Sequence, residues 1–186
     1  MVCSLLLVSG SLRKASTNSA VLRTVQADCG PSADCVLYDG LAELPQFNPD
    51  DDRGTPPPAV GRLRAAVHRA DALLFSTPEY AGAMPGALKN LLEWLIGDEQ
   101  PWSIYEKPVG WINTSPRGAQ LAHESLDTVL RYAHAQVVAA ACGSVPVTSS
   151  AIGADGLVAD ARTRSDIGRL VDALRAAACG EHAPPR

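Results

Sequence analysis

A polar segment near the start of the chain has the side chains needed to bind a phosphate group. Residues 9–19 hold five hydroxyl side chains, one asparagine and two cations, and they lead into a predicted helix. Hydroxyls and free backbone N–H groups at a helix start suit a phosphate. The segment contains neither GxGxxG nor GxxxxGK[ST], so dinucleotide and nucleoside-triphosphate loops are unsupported. It therefore predicts a loop for a terminal phosphate monoester, with an ordinary turn and helix cap as the alternative.

Two further polar segments follow apolar runs. In residues 77–86, two prolines fix the chain path and two glycines allow close backbone approach, which would place backbone amides against a flat ring. The alternative is a plain strand-to-helix connection. Residues 114–119 have the same small and polar character. Within them, Arg117 is a candidate to contact an anionic or carbonyl edge of a ligand, with an ordinary solvated arginine as the alternative.

Short apolar runs alternate with amphipathic stretches along the chain. This order predicts one α/β domain over residues 1–179, with a parallel sheet covered by helices on both faces and a flexible tail at 180–186. Ligands of such sheets bind beyond the carboxyl ends of the strands, where the three polar segments fall. Predicted strands cover 2–8, 35–38, 71–76, 108–113 and 136–141, and predicted helices cover 18–28, 59–70, 85–96, 120–132 and 160–178.

Two stretches predict further features of the surface. Residues 39–58 are rich in proline and aspartate and exceed the usual connection length, so they are expected to be functional or mobile. The helix at 85–96 has a leucine stripe for the core, and Trp94 lies outside that stripe. We therefore expect Trp94 to leave an apolar patch exposed, a candidate contact in a homodimer or a dimer of dimers.

Composition excludes several classes of partner. The 186 residues carry a formal net charge of -4, and aromatic residues make up only 5%, which disfavours nucleic acid binding. No stretch approaches the roughly 18–20 apolar residues of a membrane span. Four histidines lack metal-ligand spacing, so no metal site is expected. Five cysteines without a CxxC pattern, and with no export signal, are expected to be free thiols in a reducing cytoplasm.

Three segments resemble one protein family. Residues 10–18, GSLRKASTN, closely resemble the GSLRxxSxN phosphate loop of NAD(P)H-dependent FMN reductases, a group that includes chromate, quinone and azo-dye reductases. Residues 78–94 resemble the family's PEYNxxxPGxLKNxxDW signature, and residues 153–170 resemble its final segment with an Asp-Gly turn. Three departures stand out: Ala81 replaces the usual asparagine, Glu93 replaces aspartate, and the loop at 114–119 lacks the family's Gly-Gly pair.

The resemblance implies a fold and an activity. It implies a flavodoxin-like three-layer α/β/α sandwich with strand order 2-1-3-4-5, and FMN that takes a hydride from NADPH or NADH. The electrons would pass to a small acceptor: a quinone, an azo dye, a metal oxyanion or free flavin. A flavodoxin-type electron carrier and a non-catalytic flavin-binding protein are the alternatives, and the mild net charge favours the reductase.

By the same resemblance, no side chain is assigned as a catalytic residue, because the flavin would carry the chemistry. The implied phosphate-binding residues are Ser11, Arg13, Ser16, Asn18 and Ser19. Those implied to line the ring and the ribityl chain are Pro78, Glu79, Tyr80, Ala81 and Gly82, and those implied to close the far edge are Thr114, Ser115, Arg117 and Gly118.

Overall fold

The computed structural model describes residues 2–30, 33–98, 100 and 103–180. The strands are β1 (Cys3–Ser9), β2 (Ala33–Leu37), β3 (Ala72–Ser76), β4 (Pro108–Asn113) and β5 (Gln136–Ser144). The α-helices are α1 (Thr17–Asp28), α2 (Pro58–Arg69), α3 (Gly86–Ile96), α4 (Gln120–Tyr132) and α5 (Ala161–Cys179). Short 3-10 helices lie at Gly40–Glu43 and Ser149–Ala151. The tail predicted at 180–186 lies outside the described residues except for Gly180.

The strands form one parallel sheet in the order β2-β1-β3-β4-β5, which confirms the predicted topology. Every residue of β3 is buried, as expected for a central strand covered on both faces. The edge strand β5 is more exposed and extends further than predicted, to Ser144. Its pairing with β4 shifts register between Val109 and Trp111, so a bulge interrupts the edge.

Two apolar layers sandwich the sheet. One contains side chains of α2, α3 and α4, represented by Leu63, Leu91 and Leu126, and the other contains side chains of α1 and α5, represented by Val21 and Leu174. All five of these side chains are fully buried. The chain is therefore a three-layer α/β/α sandwich.

The expectation of an exposed Trp94 is wrong. Its ring is fully buried, its Nε1 donates to the Pro45 carbonyl at 2.9 Å, and it meets Phe47 edge to face at 4.9 Å. Asn90 fixes the same segment, since its Nδ2 donates to the Pro45 carbonyl at 2.8 Å and its Oδ1 accepts from the Phe47 amide at 2.7 Å. The leucine stripe marks only the sheet-facing side of α3, and the long connection at 39–58 covers the other side.

The expectation of five free thiols is also wrong. The structure contains the disulfides Cys3–Cys179 and Cys29–Cys35, with Cα–Cα distances of 6.0 and 6.2 Å, and only Cys142 is free. The first pair spans 176 residues of sequence. It forms because the last turn of α5 returns to the amino end of β1, a contact that no sequence spacing reveals.

Candidate functional site

The connections after β1 and β3 pack directly against each other. The Gly10 amide donates to the Ser76 carbonyl at 2.9 Å. A Cβ atom at Gly10 would lie only 2.3 Å from Thr77 Oγ1 and 2.8 Å from Thr77 Cβ. Because real Cβ atoms do not approach other atoms this closely, only glycine fits between the two strand ends.

Asn18, at the start of α1, joins the ends of β3 and β4 at the carboxyl edge of the sheet. This residue is 6% exposed, and its Oδ1 accepts from Ser76 Oγ at 2.9 Å and from Thr114 Oγ1 at 3.0 Å. Thr114, at the start of the loop after β4, is 2% exposed. The Asn18 carbonyl therefore holds the scaffold together. Its Nδ2 has no hydrogen-bond partner within the described ranges and stays available as a donor.

The loop after β1 keeps donors available at the start of α1. Ser16 is the N-cap, and its Oγ accepts from the Ser19 amide at 3.4 Å. Ser11 Oγ likewise accepts from the Arg13 amide at 3.3 Å. A hydroxyl that accepts an N–H keeps its own hydrogen for another partner, so Ser11 and Ser16 remain donors. Ser19 Oγ is 2.8 Å from Ser9 Oγ, and the Arg13 side chain is exposed.

The connection after β3 contains a tight turn that sequence reasoning did not predict. Tyr80 and Ala83 exchange backbone hydrogen bonds of 3.0 and 3.1 Å. Between them, Ala81 and Gly82 have φ angles of 51° and 73°. Positive φ at both central positions defines a type I′ turn, in which asparagine followed by glycine is strongly preferred. Ala81 thus departs from the family pattern at a position where the backbone itself favours asparagine.

Glu79 connects this turn to the loop after β4. Its Oε2 accepts from the Ala122 amide at 3.2 Å, in the first turn of α4. The residues before that helix, Gly118 and Ala119, have φ angles of 100° and 44°. The carboxylate therefore satisfies an otherwise unpaired helix donor where the chain turns sharply. One oxygen of Glu79, a residue expected to line the ring, thus helps to hold these two loops together.

The loop after β4 is braced by its own polar groups. Asn113 Oδ1 accepts from the Ser115 amide at 3.0 Å, and Asn113 Nδ2 donates to the Gly118 carbonyl. Ser115 Oγ accepts from the Arg117 amide at 3.2 Å. These contacts leave Arg117 and Gly118 on the surface, where they are exposed. The loop therefore exposes the Arg117 side chain and the backbone of Gly118 to solvent, although it lacks the Gly-Gly pair usual in the family.

His123, which the sequence did not indicate as a site residue, lies in α4 and contacts the same loop through the Ala119 carbonyl. It is 7% exposed, and its Nδ1 lies 2.8 Å from the Ala119 carbonyl. A carbonyl only accepts, so Nδ1 carries the hydrogen and Nε2 is an acceptor. Burial lowers the pKa of His123, opposed by the contact with Ala119 and the charge of Glu79. Its Nε2 is buried, with no hydrogen-bond partner in the part of the chain that the structure describes.

The structure thus brings the predicted site residues to one edge of the sheet. One side of this edge contains the hydroxyl donors Ser11 and Ser16, the Arg13 side chain and the amino end of α1, a combination that suits a phosphate. The exposed turn Tyr80–Ala83 and the loop after β4 lie on the other. Ser76, Thr77 and Asn113 also belong to this edge. Their one sequence signal is that each is a polar residue ending or directly following an apolar strand.

A parallel sheet of order 2-1-3-4-5, with its polar loops gathered at the carboxyl edge, defines a flavodoxin-like protein. A family model described as NADPH-dependent FMN reductase matches residues 3–149. The chain belongs to that family.

Individual relatives agree with this assignment. An NAD(P)H-dependent FMN reductase of Pseudomonas aeruginosa is 43% identical over 97 residues, 52% of each chain. A quinone reductase of Pseudomonas putida is 36% identical over 119 residues, 62% of this chain and 61% of the relative. The chain thus spans about half to three fifths of the length of these curated relatives.

Among solved structures, the chain is similar to FerB, a flavoenzyme NAD(P)H:(acceptor) oxidoreductase from Paracoccus denitrificans. The TM-score is 0.74 at 29% identity, and the alignment covers 94% of this chain and 98% of FerB. The similarity therefore extends over almost the full length of both chains.

Proposed function

We propose that this protein is an FMN-dependent oxidoreductase that takes electrons from NADPH or NADH and passes them to a small acceptor. The observation that carries the proposal is the Asn18 junction, where donors at the start of α1 meet the ends of β3 and β4. The printed names of the relatives, FMN reductase and quinone reductase, support the same activity.

The phosphate of FMN would bind in the loop after β1. Ser11 and Ser16 keep hydroxyl hydrogens, Asn18 keeps Nδ2, and Arg13 supplies a positive charge from an exposed position. The amino end of α1 adds unpaired backbone N–H groups and a favourable dipole. Ser19, in the first turn of the helix, completes the set of hydroxyls. This donor set fits a phosphate monoester and lacks the glycines of a dinucleotide loop.

The flavin ring would lie between the turn Tyr80–Ala83 and the loop after β4. Pro78 and Gly82 shape one side, and Ser115 and Arg117 shape the other. Bound FMN supplies the redox chemistry, because the ring accepts a hydride and releases its electrons to the second substrate. The protein binds the cofactor, orients it and leaves the ring accessible, and we assign no side chain as an acid or base.

A quinone is the acceptor class that the relatives' names favour, with azo dyes, metal oxyanions and free flavin as further acceptors. A single ring face would serve donor and acceptor in turn. We therefore expect parallel double-reciprocal plots with NADPH and a quinone. Intersecting lines would mean that both substrates bind together.

We further propose a single-domain protein that acts in the cytoplasm as a homodimer or tetramer. Leu12, Tyr80 and Leu121 are all about half exposed in or beside the three loops, at 57%, 47% and 52%. A second subunit that covers such side chains would also wall the flavin pocket. Among the described helices, none has the length and apolar character needed to cross a membrane.

The experiment is an absorbance spectrum of the purified protein, followed by anaerobic titration with NADPH. Heat-released cofactor is run beside FMN and FAD standards. We expect FMN, bleaching of the flavin absorbance by NADPH, and steady turnover with a quinone. FAD alone would contradict the loop assignment. Bleaching without quinone turnover would favour a flavodoxin-type carrier, and flavin without bleaching would favour a non-catalytic binding protein.

A further inference from the structure

Three side chains able to bind a metal ion meet at the amino edge of the sheet. Cys3 opens β1, Cys179 is the last residue of α5, and Asp71 precedes β3. Their ligand atoms all lie within 4.8 Å of one another. Across the ranges that the structure describes, no other three histidine, cysteine or acidic residues meet this criterion.

This cluster is remote from the flavin loops. Cys3 and Ser9 are the two ends of β1, and a strand of seven residues is about 20 Å long. One end of β1 therefore carries the cysteine cluster, and the other leads into the loop assigned to the phosphate. A cation at the cluster has no direct contact with the flavin.

Asp71 is held in place by backbone contacts. Its Oδ2 accepts from the Ser4 amide at 2.8 Å, and its own amide donates to the Ser4 carbonyl at 2.7 Å. Hydrogen bonds of this kind orient a carboxylate for metal binding and leave its second oxygen available. Cys3 is buried whereas Cys179 is exposed, so a cation from solvent reaches the pair from the α5 side.

One neighbouring charge opposes a cation. Lys107 donates from Nζ to the Ala70 carbonyl at 2.6 Å and interacts electrostatically with Asp71. Among the described residues, Lys107 forms no hydrogen bond or ion pair with Asp71, because its ammonium donates to the Ala70 carbonyl instead. The Asp71 carboxylate therefore remains available to a cation.

We propose that Cys3, Cys179 and Asp71, when the cysteine pair is reduced, form a binding site for one zinc ion. Two thiolates and a carboxylate are the ligand types that zinc takes, in a tetrahedron whose fourth position stays open. The disulfide seen in the structure is the alternative state of the same pair, because a sulfur bound to sulfur is not a thiolate ligand.

The two states differ by two electrons. A phosphine reductant breaks the Cys3–Cys179 bond, gives the electron pair to sulfur and takes an oxygen from water as phosphine oxide. The two hydrogens of that water end as the two thiol protons. Zinc then displaces both protons and joins the thiolates to Asp71. In either state the end of α5 is fastened to β1, so the expected consequence is resistance to unfolding, not a change in turnover.

The test is a titration of phosphine-reduced holoprotein with Co²⁺, a spectroscopic substitute for zinc. The background carries Cys29→Ser and Cys35→Ser, which removes the other cysteine pair. We expect one equivalent to bind with thiolate-to-metal absorbance, full displacement by zinc, and a higher Tm with the metal. The flavin spectrum and quinone turnover should not change. Protein oxidised to the disulfide should bind none.

Substitution of each proposed ligand tests whether that residue binds the metal ion. Cys3→Ser, and separately the exposed Cys179→Ser, should abolish the absorbance, and Asp71→Asn should weaken binding by about tenfold or more. Cys142→Ser is the control, because burial raises the pKa of that thiol to about 11 and it lies on the edge strand. Folding of each variant is checked by its flavin content. Absence of Co²⁺ binding to the reduced protein, or undiminished binding in Cys179→Ser, would overturn the proposal.

Discussion

The two edges of the sheet collect polar side chains in different ways. At the carboxyl edge, each loop is a continuous segment whose backbone and side chains brace one another, as Ser11 and Ser16 do around the start of α1. At the amino edge, Cys3, Asp71 and Cys179 come from opposite ends and the middle of the chain. The first arrangement follows from local sequence, whereas the second exists only because the fold brings distant residues together.

This difference has a functional consequence. At the carboxyl edge, Asn18 holds Ser76 and Thr114 through its Oδ1 and keeps its Nδ2 as a donor for the proposed phosphate. Residues at the amino edge hold the end of α5 and do not contact the flavin loops. We therefore expect changes at the amino edge to alter stability alone, and changes at the carboxyl edge to alter flavin binding.

The largest expected effect is on stability, from Cys179→Ser. The disulfide closes a loop of 176 residues, and disulfides typically contribute about 2–4 kcal/mol through the entropy of the unfolded chain. Denaturant unfolding without reductant should show a loss of this size, with an unchanged Kd for FMN. Cys142→Ser is the matched control and should change neither quantity. Weaker FMN binding in Cys179→Ser would show that the two edges of the sheet are energetically coupled, which contradicts the expected separation of stability and flavin binding.

Gly10→Ala should damage both stability and flavin binding. The new methyl group would meet Thr77 Oγ1 at 2.3 Å, and overpacking of this kind costs about 1–3 kcal/mol. Because the clash separates the ends of β1 and β3, FMN binding should weaken as well. Thermal unfolding and FMN titration measure the two effects. Gly61→Ala, within α2 and with open space around its Cβ, is the control and should be neutral or slightly stabilising.

Arg13→Ala should weaken FMN binding about tenfold or more and riboflavin binding much less. A charge-assisted hydrogen bond to the phosphate contributes about 1.5–3 kcal/mol, and riboflavin has no phosphate. Calorimetry measures the Kd of each ligand for wild type and variant, and the difference between the two losses gives the interaction energy between Arg13 and the phosphate. Arg162→Ala, an exposed arginine on α5, should affect neither. Equal losses for FMN and riboflavin would remove Arg13 from the phosphate site.

Ala81→Asn should tighten FMN binding by up to about tenfold, and the structure supplies two separable reasons. Asparagine offers an amide to the ring edge, worth about 0.5–1.5 kcal/mol, and it also tolerates the positive φ of 51° better than alanine. Ala81→Gly relieves the backbone without adding an amide, so it is the matched comparison.

If both variants tighten FMN binding equally, the gain comes from a better-tolerated positive φ in the turn and not from an amide contact with the ring. If only Ala81→Asn does so, the amide contacts the flavin. Its larger side chain should also lower activity toward bulky acceptors more than toward small quinones. An unchanged Kd and acceptor profile in both variants would mean that position 81 does not face the flavin.

The smallest expected effect is a pH dependence from His123. Burial lowers its pKa in the folded state below the roughly 6.5 of the unfolded chain, so below that pH the unfolded state binds more protons. The stability linked to neutral His123 is present above about pH 6.5 and declines as the pH falls further. His123→Gln should lose less stability than wild type between pH 7 and pH 5 in urea titrations. Parallel pH profiles would contradict this assignment.

The parallel sheet and the loop positions were predictable because apolar runs and amphipathic stretches alternate clearly, whereas the strand order followed from the family resemblance. The cluster of donors after β1 was predictable because its residues are adjacent in sequence; its binding of a phosphate stays a proposal. The buried Trp94 was not, since helical periodicity reports which side of α3 faces the sheet and says nothing of a long connection covering the other side. The turn at Ala81 was hidden for a related reason: alanine gives no sequence signal of positive φ.

A crystal structure of the FMN complex would test the proposed flavin site most directly. We expect the phosphate at the start of α1, within hydrogen-bond distance of Ser11, Ser16 and Asn18 Nδ2, with the ring between the turn Tyr80–Ala83 and the loop after β4. FMN density at any other place, or a phosphate turned away from the start of α1, would contradict it.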